Sequence, residues 1–183
     1  MNTKSIRKIA AFTVLSAMLG ACSSMEWSAN RIDSEADDAL VVFQEEVNGA
    51  KVFLDQAAGY LVFPRAIKAG LVVGAETGEG TLRVGGKTID YFRITSGSIG
   101  FQAGAQARSI VIAFMTQSSL QQFQNSNGWR VGIDGSVALI DMGAGKTIDS
   151  QNVRDPVVGF IFGSAGLMYN LTLEGTRFTR LQR

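Results

Sequence analysis

The sequence predicts an α+β fold: N-terminal amphipathic helices packed on a large, mostly antiparallel β-sheet, with barrel-like closure as one outcome. Three observations predict it. Apolar residues recur at helical spacing between Ala36 and Val47, and from Gly59 onward the pattern changes to short apolar runs broken by glycine. The 21 glycines against two prolines suit many strands joined by tight turns. Helices followed by a run of strands is the element order of an α+β domain.

The chain opens with Lys4, Arg7 and Lys8 and then runs uncharged from Ile9 to Ala21, a basic region followed by a short apolar one, as in an export signal. The run is shorter than the roughly 20 apolar residues a membrane span requires. It ends in Leu19-Gly20-Ala21-Cys22, which resembles the lipobox cut by lipoprotein signal peptidase. Small residues at Gly20 and Ala21 let the backbone enter a protease cleft, and the Cys22 sulfur is the acylated nucleophile. Cys22 is the only cysteine, so it is expected to serve as the lipid anchor. Ser23 follows it, which by similarity to lipoprotein sorting rules implies a bacterial outer-membrane protein with its domain facing the periplasm. The division expected is a signal peptide over 1–21, acylated cysteine and tether over 22–32, and one domain over 33–183. Several acyl chains anchor stably because each buried methylene contributes roughly 0.8 kcal/mol.

Asp33-Ser34-Glu35-Ala36-Asp37-Asp38 has the acidic character of a helix start. Ala36, Leu40, Phe43 and Val47 then lie on one face, and a second helix is expected over about Ala50 to Ala58. Strands are expected at Tyr60–Phe63, Gly70–Val73, Gly80–Val84, Tyr91–Ile94, Ile99–Ala105 and Ser109–Phe114, with turns at Thr77-Gly78 and Gly85-Gly86. Ser118–Phe123 reads as a short helix and Trp129–Ile140 as strand. After a polar loop from Asp141 to Asp155, strands are expected at Val157–Phe162, Leu167–Leu173 and Phe178–Leu181. Nine or ten short strands result.

Without residues 1–21 the chain keeps 162 residues, enough for one domain with a sizeable core. Three of the 17 basic residues leave with that segment, so 14 face 16 acidic ones and the balance is −2. No global positive field favours nucleic acid, and an anionic ligand would be read by a local patch. Histidine is absent, which removes the commonest general base, the Ser-His and Cys-His nucleophile pairs and most catalytic zinc sites. No cofactor or metal is expected. Gly86-Lys87-Thr88 and Gly145-Lys146-Thr147 look like the end of a phosphate-binding loop, but Thr81 and Ile140 stand where its leading glycine belongs.

Several blocks in fixed order carry a family resemblance. They are Leu61-Val62-Phe63-Pro64, Lys68-Ala69-Gly70, Val73-Gly74, Gly78-Glu79-Gly80, Ser98 through Gln106, Phe114-Met115-Thr116, Gly166-Leu167 and Leu173-Glu174-Gly175-Thr176. In these the sequence resembles the SYLF-domain family of lipid-binding proteins, in its bacterial lipoprotein branch. The resemblance implies a non-enzymatic module that binds membrane lipid; the precise ligand does not carry over, and a phospholipid is the candidate. The acidic start of the first helix, with Asp33, Glu35, Asp37 and Asp38, departs from the membrane-entering helix of eukaryotic members.

Arg65, Lys68, Arg83, Lys87 and Arg93 are the candidate ligand-binding residues, able to hold a phosphate if the hairpins gather them. Lys68 leads because it lies in a family-like block. The commoner fate of any one of them is a solvated surface charge. Gly74–Gly80, with Glu76 and Glu79, is either a ligand-gripping or metal-binding acidic turn, or a hairpin whose glycines supply positive φ and close strand approach. Gln102 and Gln106 are placed to point together into a barrel lumen, and Glu174 is read as a buried arginine partner or a site residue. An envelope interaction protein without a lipid ligand is the alternative function, and a hydrolase built on Glu76 and Glu79 the third.

Overall fold

The protein is seen in a computed structural model that describes residues 28–70, 72–99, 104–141, 155–165 and 173–183. Helix α1 (Ala29–Glu46) starts ahead of the acidic cluster, inside the stretch expected to be tether. The reason is Ile32, which is fully buried and extends the stripe of Ala36, Leu40 and Phe43 by one turn. Ser28 therefore stands at the N-cap and Ser34 lies within the helix. Gly49, at φ 85, turns the chain into α2 (Ala50–Gln56), a conformation glycine adopts at no steric cost. The two helices follow as expected.

The strands are β1 (Gly59–Gly70), β2 (Val73–Val84), β3 (Lys87–Ile99), β4 (Gly104–Phe114), β5 (Trp129–Arg130), β6 (Ala138–Asp141), β7 (Val157–Ala165) and β8 (Arg177–Leu181), with helix α3 (Gln117–Asn125) between β4 and β5. Among the described residues they form one sheet in the order β5-β8-β3-β2-β1-β4-β7-β6. Neighbours run antiparallel except the parallel pair β6 and β7.

Among the described residues the strands are longer than the short apolar runs predicted. Gly70 and Val73, expected to lie in one strand, instead end β1 and begin β2. Thr77-Gly78, expected to be a turn, lies mid-strand, with Thr77 paired to both Ile67 and Thr95. Gly78 and Gly80 are there for close approach. A Cβ on Gly78 would stand 2.6 Å from the Arg65 carbonyl oxygen, and one on Gly80 closer still to that of Val62. Both glycines let β2 press against the bulge that Pro64 and Arg65 make in β1. Gly85-Gly86 is the expected turn, with both φ positive. The alternation from Ile99 to Ala105 is divided between the end of β3 and the start of β4, and residues 100–103 lie outside the described set. Trp129–Ile140 is broken into β5 and β6 by a turn in which the Asp134 carboxylate accepts the Arg130 backbone N–H at 2.7 Å. Most of the strand expected at Leu167–Leu173, and of the loop from Asp141 to Asp155, falls outside the described residues.

Alternation along the central strands divides the core into two layers. Tyr60, Val62, Val111, Ala113, Phe160 and Phe162 face α1 and α2, where Phe43 meets Phe160 and Phe162 at ring separations of 5.1 and 5.0 Å. Leu61, Phe63, Leu82, Phe92, Ile94, Ile112 and Phe114 face the other way, toward α3 and Trp129. This second face is concave. Phe123 of α3 lies 4.9 Å from Phe92 on β3 and 4.8 Å from Phe114 on β4, although those strands are three places apart, about 14 Å in a flat sheet. Phe63 on β1 and Phe178 on β8 are equally far apart in order, yet their rings meet at 5.5 Å. The sheet is thus a half-barrel, with α3 filling its hollow and α1 and α2 on its outer side.

Candidate functional site: a buried charged cluster on the inner face

Toward the β1–β2 turn the inner face changes character. The alternation that points Leu61 and Phe63 inward continues past the Pro64 bulge to Ala66 and Lys68, both buried. Lys68 stands directly opposite Glu76 of β2 on one side and Gln106 of β4 on the other, while Ala66 stands opposite Arg108. Because paired residues share a face, these strands bring Lys68, Glu76, Gln106 and Arg108 into one buried group. Arg108 reaches across β1, where Ala66 offers only a methyl, to Glu76 on the next strand. Its Nε and Nη2 donate to the two carboxylate oxygens at 2.7 Å each, the bidentate geometry that guanidinium suits best. Ser96 Oγ on β3 donates to the same carboxylate at 3.2 Å. Both side chains of the ion pair are sealed from solvent, at 0% and 1% exposure.

The pair leaves one of its own donors unsatisfied. Arg108 Nη1 is buried without a hydrogen-bond partner. Lys68 is 4% exposed and Gln106 5% exposed, and among the described residues neither side chain has a partner. Glu76, across the strand from Lys68, is already occupied on both oxygens. The sum over Lys68, Arg108 and Glu76 is one positive charge, in a place where an uncompensated charge is costly.

The hairpins do not gather the other predicted cations here. Arg83 is buried on the outer face, where Nη1 donates to Asp37 at 2.6 Å and Nη2 to the Asp33 backbone carbonyl at 3.3 Å. Arg93 pairs with Glu79 at 2.6 Å, on a carboxylate that Arg183 also holds at 2.8 Å. Lys87 is exposed at the β2–β3 turn. Arg65 is exposed beside a groove of about 470 Å³ between α1 and the β1 bulge, rimmed by Glu35 and Asp38. Lys68 alone of the five lies in the inner cluster, and Arg108 is the residue the sequence reading passed over. Its signal was the period-two run of Gln106, Arg108, Ile110, Ile112 and Phe114 on the buried face.

Other expectations are corrected. Gly74–Gly80 is extended strand and not an acidic turn, none of Gly74, Gly78 or Gly80 has positive φ, and Glu76 and Glu79 face opposite sides of the sheet. Glu174 is exposed, not buried. Gln106 points into the hollow, while Gln102 lies outside the described residues. Two of the four acids at the helix start clamp α1 to the sheet: Asp37 takes Arg83, and Asp33 accepts from Thr88 Oγ1 and the Tyr91 hydroxyl at 2.7 Å each.

Burial, then the hydrogen bond to Asp33 and the charge of that carboxylate, push the Tyr91 phenol from 10.0 up to about 12, against the opposing pull of Arg83. Below the lower value Tyr91 is protonated whether folded or unfolded, and the contact is intact. As pH rises from 10.0 toward about 12 the unfolded chain gives up the proton first, so stability falls across that window. Tyr91→Phe is expected to flatten that alkaline decline in melting temperature. An unchanged slope would show that Tyr91 does not carry it.

An α+β half-barrel with helices on its outer face and a charged cluster in its inner face defines the class. Residues 95–183 match the family model described as Ysc84, Las17-binding protein actin regulator, so that segment matches the SYLF-domain family. The matched segment includes Ser96, Gln106 and Arg108 of the cluster. No curated protein matches the chain in sequence.

Proposed function

We propose that the chain is a non-enzymatic lipid-binding lipoprotein of the bacterial cell envelope, anchored through acyl chains on Cys22 in the outer membrane with its domain toward the periplasm. The observation that carries the reading is the buried pair of cations Lys68 and Arg108, with Arg108 Nη1 unsatisfied, at the end of the sheet where Val72 is 54% and Val73 69% exposed. Apolar residues at the rim and cationic donors behind them match an amphiphile, whose tail prefers a nonpolar surface and whose headgroup carries the negative charge. The absence of histidine and the structural use of Glu76 and Glu79 support a binding role over catalysis. Among the described residues no helix is long and apolar enough to cross a membrane, so the anchor supplies membrane attachment in this reading.

The test is vesicle flotation of residues 23–183, which lack the acylated cysteine. Flotation with anionic vesicles is expected, and failure to float with every lipid mixture overturns the lipid reading. A second reading, an envelope interaction protein with no lipid ligand, draws on the family's description as a protein-binding regulator and on the groove beside α1. Charge reversal at Glu35 and Asp38 would abolish capture of such a partner while leaving flotation unchanged.

A further inference from the structure

We propose that Lys68, Gln106 and Arg108 form a binding site for a singly charged phosphodiester, and that Glu76 sets the selectivity by disfavouring the doubly charged phosphomonoester. The inference rests on the lipid reading for its physiological source, though the site itself is argued from the buried cluster alone. Three observations converge on it. Lys68 is 96% buried by its 4% exposure, yet no described residue accepts from its ammonium. Arg108 is held rigidly by two bonds to Glu76, which turns the free Nη1 away from that carboxylate. Gln106 stands beside Lys68 across the strand pair and is equally buried and unpartnered. The three side chains offer donors of complementary kinds: a mobile point charge, a fixed guanidinium edge and a neutral amide.

The charge balance names the ligand. Two cations and one carboxylate leave one positive charge, which a phosphodiester neutralises. A dianionic monoester leaves one negative charge beside Glu76, where burial strengthens the repulsion. Diesters of this kind occur both in phospholipid headgroups and as free soluble molecules, and the two sources are separable by experiment.

The full chain in nonionic micelles is titrated calorimetrically with glycerophosphoglycerol as the soluble diester and glycerol 3-phosphate as the monoester, and separately with phosphatidylglycerol incorporated in the micelles. Tighter binding of diester than monoester is expected. A response to both diesters assigns the site to the phosphodiester group itself, and a response to the incorporated lipid alone assigns it to a headgroup in a membrane. Lys68→Met removes a charge without breaking a hydrogen bond and is expected to weaken diester binding about tenfold or more while the protein melts no earlier. Lys87→Met, an equal change of net charge at the exposed turn, leaves binding unaltered. Glu76→Gln, checked for folding by its melting curve, moves preference toward the monoester. Wild-type affinity in Lys68→Met, or a wild-type protein that prefers the monoester, overturns the proposal. If Lys68→Met loses nothing but vesicle flotation persists, the site is wrong and the lipid reading stands. If the soluble diester binds but nothing floats, the site stands and the lipid reading falls.

Discussion

Arg108→Met is expected to destabilise the fold by about 3–5 kcal/mol, because it removes one partner of a sealed ion pair and leaves the Glu76 carboxylate charged and enclosed. Ser96 supplies only a single, longer hydrogen bond in compensation. The double variant Arg108→Met, Glu76→Met is expected to recover most of that loss, since apolar side chains of similar volume avoid the desolvation that the pair incurs. Denaturant unfolding of the two single variants and the double one measures the coupling directly. A double variant as unstable as Arg108→Met alone would mean that the inner face needs the charges for packing geometry, not for mutual compensation. The comparison also bears on purpose. If the apolar pair is as stable as the ionic one, folding does not account for the charges, which favours the proposed ligand recognition beside Lys68.

How much of this was legible in the sequence depended on whether its determinant was local. The layers of the sheet follow from alternation within single strands, so the two-helix start, the apolar inner face and the α+β class could all be read directly. Strand boundaries could not. Glycine signals either a turn or a close approach, and only the position of β1 decides which, as Gly78 and Gly80 show: each sits against a β1 carbonyl oxygen in an extended strand. The cations posed the same difficulty. Lys68, Arg83 and Arg93 look alike along the chain, but the acids that occupy Arg83 and Arg93 come from Asp37 on a helix and Glu79 on a neighbouring strand. Lys68 differs from them because Arg108 has already taken the carboxylate opposite it, which is a three-strand relation. No local pattern encodes that, although the alternation from Gln106 to Phe114 did mark Arg108 as inward-facing.

Phe123→Ala is expected to cost about 3–5 kcal/mol, because one ring of α3 ties together both walls of the hollow. It lies within 4.9 Å of Phe92 and 4.8 Å of Phe114, and its edge contacts reach Trp129 at 5.8 Å and Phe178 at 6.3 Å. The helix that carries it is fixed at its start by Thr116 Oγ1, which accepts the Ser119 backbone N–H at 3.1 Å, so the ring cannot be replaced by a small slide of the helix without losing that cap. Removal should shift the Trp129 emission as well as the melting temperature. It also tests what the hollow can hold. Phe123, Trp129 and Phe178 are buried in it, so the apolar part of the inner face is filled by the protein's own side chains, and the acyl chains of the proposed lipid ligand would lie outside at Val72 and Val73. Benzene is therefore expected to raise the melting temperature of Phe123→Ala, by entering the room left by the ring, and to leave the unaltered protein unmoved. Stabilisation of the unaltered protein by benzene would show that the hollow has space of its own, and would shift the proposed lipid contact from the headgroup toward the tail.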